Sequence, residues 1–140
     1  MLVDVDSDGT LWQPHAKKFS TYVYTGVWDY HVVLNRAALV QAQNGPLSPQ
    51  ALQALQRLFD ERPRTFGWPG SAQYRFDGGQ HGVLIWSTED QQADWFVGAA
   101  DAKAMESALR LVWDLDGVGE SFYDCSEIAK VILAKLKANA

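Results

Sequence analysis

The chain has 140 residues and a formal charge of −5, with 47% hydrophobic residues, six tryptophans, five tyrosines, six phenylalanines and a single cysteine. That length and apolar content fit one folded domain and exclude a disordered chain. The negative balance excludes a nucleic-acid binder, which needs a basic face to displace counterions from phosphate, and no apolar run approaches the length that spans a bilayer.

The chain opens Met1-Leu2-Val3-Asp4-Val5-Asp6, without the basic start and apolar run of a signal peptide. With Cys125 alone, no internal disulfide can form, so a reducing, cytoplasmic setting is expected. Leu2 to Val5 and Thr10 to Gln13 read as short strands, with Asp8-Gly9 as the hairpin turn between them. Phe19 to Tyr24 and Trp28 to Leu34 read as a second hairpin turning at Thr25-Gly26. In its later strand Trp28, Tyr30, Val32 and Leu34 alternate with Asp29, His31 and Val33. Residues 35–43 fit helix and strand equally.

Ser48-Pro49 predicts a helix, with serine as cap and proline at the first helical position. Leu52, Leu55, Leu58 and Phe59 mark its apolar face, and Pro63 limits its end. Phe66-Gly67-Trp68-Pro69-Gly70 reads as a rigid aromatic loop. Tyr74 to Phe76, Val83 to Trp86 and Trp95 to Val97 read as three strands, the second apolar on both faces, as a central strand requires. Asp101 caps a helix whose stripe is Met105, Ala108, Leu109, Val112 and Trp113. Asp116-Gly117-Val118-Gly119 is a turn. Asp124 and Glu127 have capping-box spacing for a final helix with Ile128, Val131, Ile132 and Leu136 on its stripe.

The expected fold class is α+β: one domain over 1–140, with a mainly antiparallel sheet of about five to seven strands and three helices packed largely on one face. Its core should draw on Val32, Leu34, Leu55, Leu84, Ile85, Phe96, Leu109, Val112, Ile128 and Ile132.

Two resemblances fall on the first residues. Asp4, Asp6, Asp8 and Gly9, with Leu11 at the eighth place, resemble the start of an EF-hand calcium loop. There alternate carboxylates converge on one ion, and the twelfth place, here His15, carries a glutamate. This implies a calcium-binding structural module. Asp6-Ser7-Asp8-Gly9-Thr10-Leu11 also resembles the first motif of the haloacid-dehalogenase-like phosphatases. That resemblance implies Asp6 as phosphoryl acceptor, Asp8 as general acid, magnesium, and alternating strands and helices, with Ser87 or Thr88 as a second motif. The plain reading of the same residues is a hairpin with its aspartates in solvent, and no cofactor.

Cys125 reads as a small buried residue at the start of the last helix, and His15, His31 and His81 are too isolated for a zinc site. The remaining signal is diffuse. Glu89, Asp90, Asp94, Asp114, Asp116 and Glu120 form acidic stretches beside Trp68, Trp95 and Tyr123. Aromatic anchors with an acidic rim suit docking of a basic protein surface, since the rings supply buried contact and the charges orient the encounter. The expected function is therefore a small non-catalytic protein-binding module. Its model by class is a bacterial immunity-type inhibitor that neutralises a cognate toxin.

Overall fold

The computed structural model describes residues 23–67, 71–88 and 91–139. Both aspartate-rich resemblances, resting on Asp4, Asp6 and Asp8, lie outside these residues. So does the first expected hairpin.

Residues 23–34 form a helix, α1, wound as α over 23–28 and as π over Asp29–Leu34. Its wide last turn closes with the Asn35 amide donating to the Tyr30 carbonyl at 2.7 Å. The expected hairpin turning at Thr25-Gly26 is thereby overturned. Val, Tyr and Trp favour strands by local preference, yet that preference yields to packing when a face is buried. Thr25, Trp28 and Val33, three and five residues apart, are buried on one side of α1, whereas a strand would have split them between faces.

After α1 come β1 (Ala38–Asn44), α2 (Pro49–Leu58), β2 (Asp60–Phe66), β3 (Ala72–Asp77), β4 (His81–Thr88) and β5 (Gln92–Ala99). Then follow α3 (Ala102–Val112), a 3-10 segment (Leu115–Ser121), β6 (Tyr123–Asp124) and α4 (Glu127–Ala138). The six strands form one sheet in the order β2-β3-β4-β5-β1-β6, antiparallel at every pairing. The α+β class and antiparallel sheet are as expected. The helical segments number five among the described residues rather than three. As expected, most of them share a face: α2, α3, α4 and the 3-10 segment pack on one side of the sheet, and α1 packs on the other.

Local signals placed two helices well. The Ser48 hydroxyl accepts from the Ala51 amide at 3.0 Å, and Asp101 accepts from the Ala104 amide at 2.8 Å. Asp116, in the left-handed region, ties its turn to the first of these caps: its carboxylate accepts from the Ser48 amide at 2.9 Å and hydroxyl at 2.6 Å. The last helix departs from expectation. Ser126, not Asp124, caps α4 by accepting from the Ala129 amide, Glu127 is its first residue, and Asp124 belongs to β6. Strand β2 was not expected, because Asp60-Glu61-Arg62-Pro63-Arg64 has no apolar alternation. An edge position explains it: Pro63 sits where the pairing with β3 slips between Arg62 and Thr65, as proline requires.

The main core lies between the sheet and α2, α3 and α4. Ala38, Val40, Phe76, Val83, Ile85, Trp95, Val97, Leu55, Met105, Leu109, Val112 and Ile132 meet there. A smaller cluster of Trp28, Val33 and Leu84 sits under α1. Of the expected core, Leu34 is exposed and Val32 and Phe96 are half-buried, because α1 covers only part of its face, while Ile128 is exposed because α4 turns Ala129, Ile132, Leu133 and Leu136 to the main core instead.

Candidate functional site

Strand alternation sorts the sheet into two faces, and the face away from α2, α3 and α4 carries the polar chemistry. One row crosses all six strands: Arg62, Arg75, Leu84, Phe96, Gln41 and Tyr123. A second row holds Thr65, Gln73, Trp86, Asp94 and Gln43. A third holds Asp60, Asp77, Gly82, Gly98 and Leu39.

Helix α1 sits over the third row. A Cβ on Gly82 would meet Val32, and one on Gly98 would meet the main chain of Val33, so the two glycines open a groove for the helix. Polar bonds pin it. Arg75 donates from Nε and Nη2 to the two Asp29 oxygens at 2.6 and 3.0 Å. The Trp28 indole donates to Asp77 at 3.1 Å. Burial opposes the charge on Asp77, but hydrogen bonds from the Gly79 amide, Trp28 and Arg62 outweigh it and hold the carboxyl below its usual range.

Among the described residues, no helix covers the rest of this face. Trp86 is 51% exposed and Tyr123 46%, with half-buried Phe96 in the row of Tyr123, two strands away from it. Asp94 pairs directly with Trp86 across β4 and β5, and its carboxylate accepts from Gln92 Nε2 at 2.8 Å. Beside this surface, a cleft of about 390 Å³ opens between α1 and the strands, lined by Thr25, Thr65, Gln73, Arg75 and Trp86 among others.

The structure divides the expected docking residues. Asp94 and Tyr123 share the open face, in company with Trp86, which the sequence reading placed in a central strand. Trp95 is corrected: it points to the opposite face and is fully buried in the main core, because alternation sends it inward where Asp94 goes outward. Asp114 and Glu120 line a separate cleft of about 430 Å³ on the helix side, with Arg110, Trp113, Leu136 and Asn139. Asp116 is engaged with Ser48. Trp68, Glu89 and Asp90 lie outside the described residues.

Cys125 is exposed rather than buried, and partial loss of solvent around the thiol together with the Asp124 carboxylate pushes its pKa up. This is the reverse of what an activated nucleophile needs. Among the described residues, no three His, Cys, Asp or Glu side chains are grouped to hold a metal ion. None of the described helices is long and apolar enough to cross a membrane. The order of elements over 38–138 also differs from the alternating strands and helices that the phosphatase resemblance implies.

Burial holds the His81 imidazole below its ordinary value; Asp77 opposes this and Arg36 adds to it. The folded chain thus disfavours the imidazolium, while the unfolded chain takes up its proton from about pH 6.5 downward. Stability from His81 is complete above that pH and falls as the pH drops below it. The urea midpoint should be lower at about pH 5 than at about pH 7.5, and His81→Gln should shrink the difference. An equal drop in both proteins would acquit His81. Asp77 acts in a lower window, its contribution being lost as pH falls through its depressed folded value.

Comparison with protein-family models gave no match, and searches of curated proteins and of solved structures found no similar chain.

Proposed function

We propose that this protein is a non-catalytic binding protein that docks a basic protein partner through the open part of its sheet. Its class is that of the bacterial immunity-type inhibitors, which neutralise a cognate toxin. One observation carries the reading: Trp86 and Tyr123 stand half out of the same sheet face, on either side of an aspartate that forms no ion pair among the described residues. Half-exposed aromatic rings on a rigid sheet are efficient anchors, because they bury much area at little entropic cost. Asp94 offers its carboxylate to a lysine or arginine of the partner, and the net charge of −5 speeds approach of a basic surface.

The test is capture, at low salt, from a lysate of the cells the protein comes from, with the full chain and three variants side by side. The unaltered chain should retain one basic protein in one-to-one ratio. Trp86→Ala and Tyr123→Ala should each weaken retention roughly tenfold or more, the cost of truncating a central anchor. Asp94→Lys should abolish it, and raised salt should weaken it for the unaltered chain. Both rings are half-exposed, so the fold should survive these changes. Capture of nothing, or capture indifferent to all three substitutions, would refute the reading.

A further inference from the structure

The turn between β3 and β4, Asp77 to His81, ties down the end of α1. The Asp77 carboxylate accepts from the Trp28 indole at 3.1 Å. The Gly79 carbonyl accepts from Arg36 Nη2 at 3.2 Å, and the same guanidinium donates from Nε to the Val32 carbonyl at 3.1 Å. Arg36 thus clips the last turn of α1 to the tip of the hairpin. Within the turn, the Gly78 amide donates to the His81 carbonyl at 2.9 Å and the Gly79 amide to Asp77 Oδ1 at 2.8 Å. The half-buried His81 imidazole lies directly against this turn. A Cβ on Gly78 would run into its Nε2, and Phe59 meets the ring edge-on at 5.5 Å.

Nδ1 of that ring is buried and meets no acceptor among the described residues. The neutral ring carries its proton on Nε2 and leaves Nδ1 bare, whereas the imidazolium has a proton on both nitrogens. A buried charged donor without an acceptor costs far more than a bare lone pair. The charged groups nearby give no relief. Arg36 repels the imidazolium and Asp77 attracts it. The Asp77 oxygens, however, are already taken by the Gly79 amide, by Trp28 and by Arg62. Asp101 follows the Ala100 whose amide donates to the Gln80 carbonyl, and its carboxylate is committed to capping α3. From the end of α2 and from β5, His81 meets the uncharged Phe59 and Ala99. Arg57, Asp60 and Arg62 line a groove with Asp77, Gly78 and Gly79.

Protonation therefore leaves two ways out. Either Asp77 turns to Nδ1 and gives up Trp28 or Gly79, or the turn swings outward until Nδ1 reaches water and parts Gly79 from Arg36. Both break a tie to α1. We infer that His81 is a pH latch: proton uptake by its ring, favoured in the open turn below about pH 6.5, releases the end of α1, residues 30–36, while the sheet stays folded. Burial supports the direction, since it disfavours the charged ring for as long as the turn is closed. The Arg75–Asp29 pair holds the start of the π-wound segment to β3, so release runs inward from the Arg36 end. It uncovers Val33 and Leu84, on the face that carries Trp86. This goes beyond the proposed partner docking and needs no partner.

Hydrogen exchange of the full chain at about pH 7.5 and about pH 5.5, corrected for the intrinsic rate at each pH, tests the latch. About one pH unit below the ordinary histidine value, proton uptake favours opening by roughly tenfold at most. Protection of amides 31–36 should fall several-fold, up to that limit. The fall should be the same with and without about 1 M urea, since a local opening exposes little surface. His81→Gln should remove the pH dependence. Arg36→Met should lower the protection of these amides already at the higher pH, by breaking the clip. Equal protection at the two pH values, or a pH dependence that survives in His81→Gln, overturns the latch. Unchanged protection in Arg36→Met overturns the tie on which it depends. A fall that only keeps step with β5 and steepens with urea would place His81 in global unfolding. That outcome overturns the latch as well and leaves the docking proposal untouched.

Discussion

Replacing Arg75 by methionine is expected to lower the unfolding free energy by about 3–5 kcal/mol, the cost of breaking a buried ion pair from one side. Arg75 is 4% exposed, and each of its three nitrogens has an acceptor. Nε and Nη2 grip Asp29, while Nη1 donates to Thr65 Oγ1 at 2.9 Å and reaches the Pro63 and Gln73 carbonyls at 3.4 and 3.5 Å. Methionine fills similar space but donates nothing. It leaves the Asp29 carboxylate without its counter-ion, under the helix that the pair holds down. For a chain of this length each kcal/mol moves the melting temperature by roughly 2–4 °C, so a fall of about 10 °C is expected. Adding Asp29→Leu should recover much of the loss, because an apolar pair avoids the stranded charge. A loss below about 1 kcal/mol in Arg75→Met, the range of exposed pairs, would mean that water reaches this one.

Gly98→Ala is expected to cost about 3 kcal/mol or more, the upper range for forcing atoms into a packed site. The added methyl would fall on the Val33 carbonyl and within 2.7 Å of Val33 Cα. These are main-chain atoms, so no side chain can rotate away and the helix itself must lift. Lifting α1 uncovers Trp28, Val33 and Leu84 and stretches the Arg75–Asp29 pair. Urea unfolding should report the loss, and hydrogen exchange should place it, with the amides of 23–34 exchanging faster while those of β1 and β5 stay protected. Gly45→Ala is the control: its Cβ meets nothing within 4 Å, and the expected change is within about 0.5 kcal/mol. Since Arg75 and Gly98 act on the same helix, their combined effect should fall short of the sum. A change at Gly98 no larger than at Gly45 would mean that α1 does not rest on the sheet.

Little of the candidate docking face was legible in advance. Asp94 and Tyr123 were named from composition, but so was Trp95, one residue from Asp94 and buried on the other side. Trp86 was missed because Val83-Leu84-Ile85-Trp86 is apolar throughout. In that strand Val83 and Ile85 enter the main core, Leu84 lies under α1, and Trp86 stands at the helix's margin, beside the cleft it shares with Thr25, and stays half-exposed. Nothing within four residues records where a helix from another part of the chain stops.

The sequence by itself determined the elements whose signals are local. Ser48-Pro49 and Asp101 start two helices with bonds to amides three residues on, and short apolar runs set off by turn and polar residues mark β3, β4 and β5. With these came the α+β class and the antiparallel sheet. Tertiary structure decided the rest: that 23–34 winds into a helix against the preference of its valines and tyrosines, that the polar 60–66 is an edge strand, and which tryptophan meets water. Those outcomes depend on the groove at Gly82 and Gly98 and on Arg75, dozens of residues away. Burial against distant partners outweighs the fraction of a kcal/mol per residue by which local preference separates helix from strand.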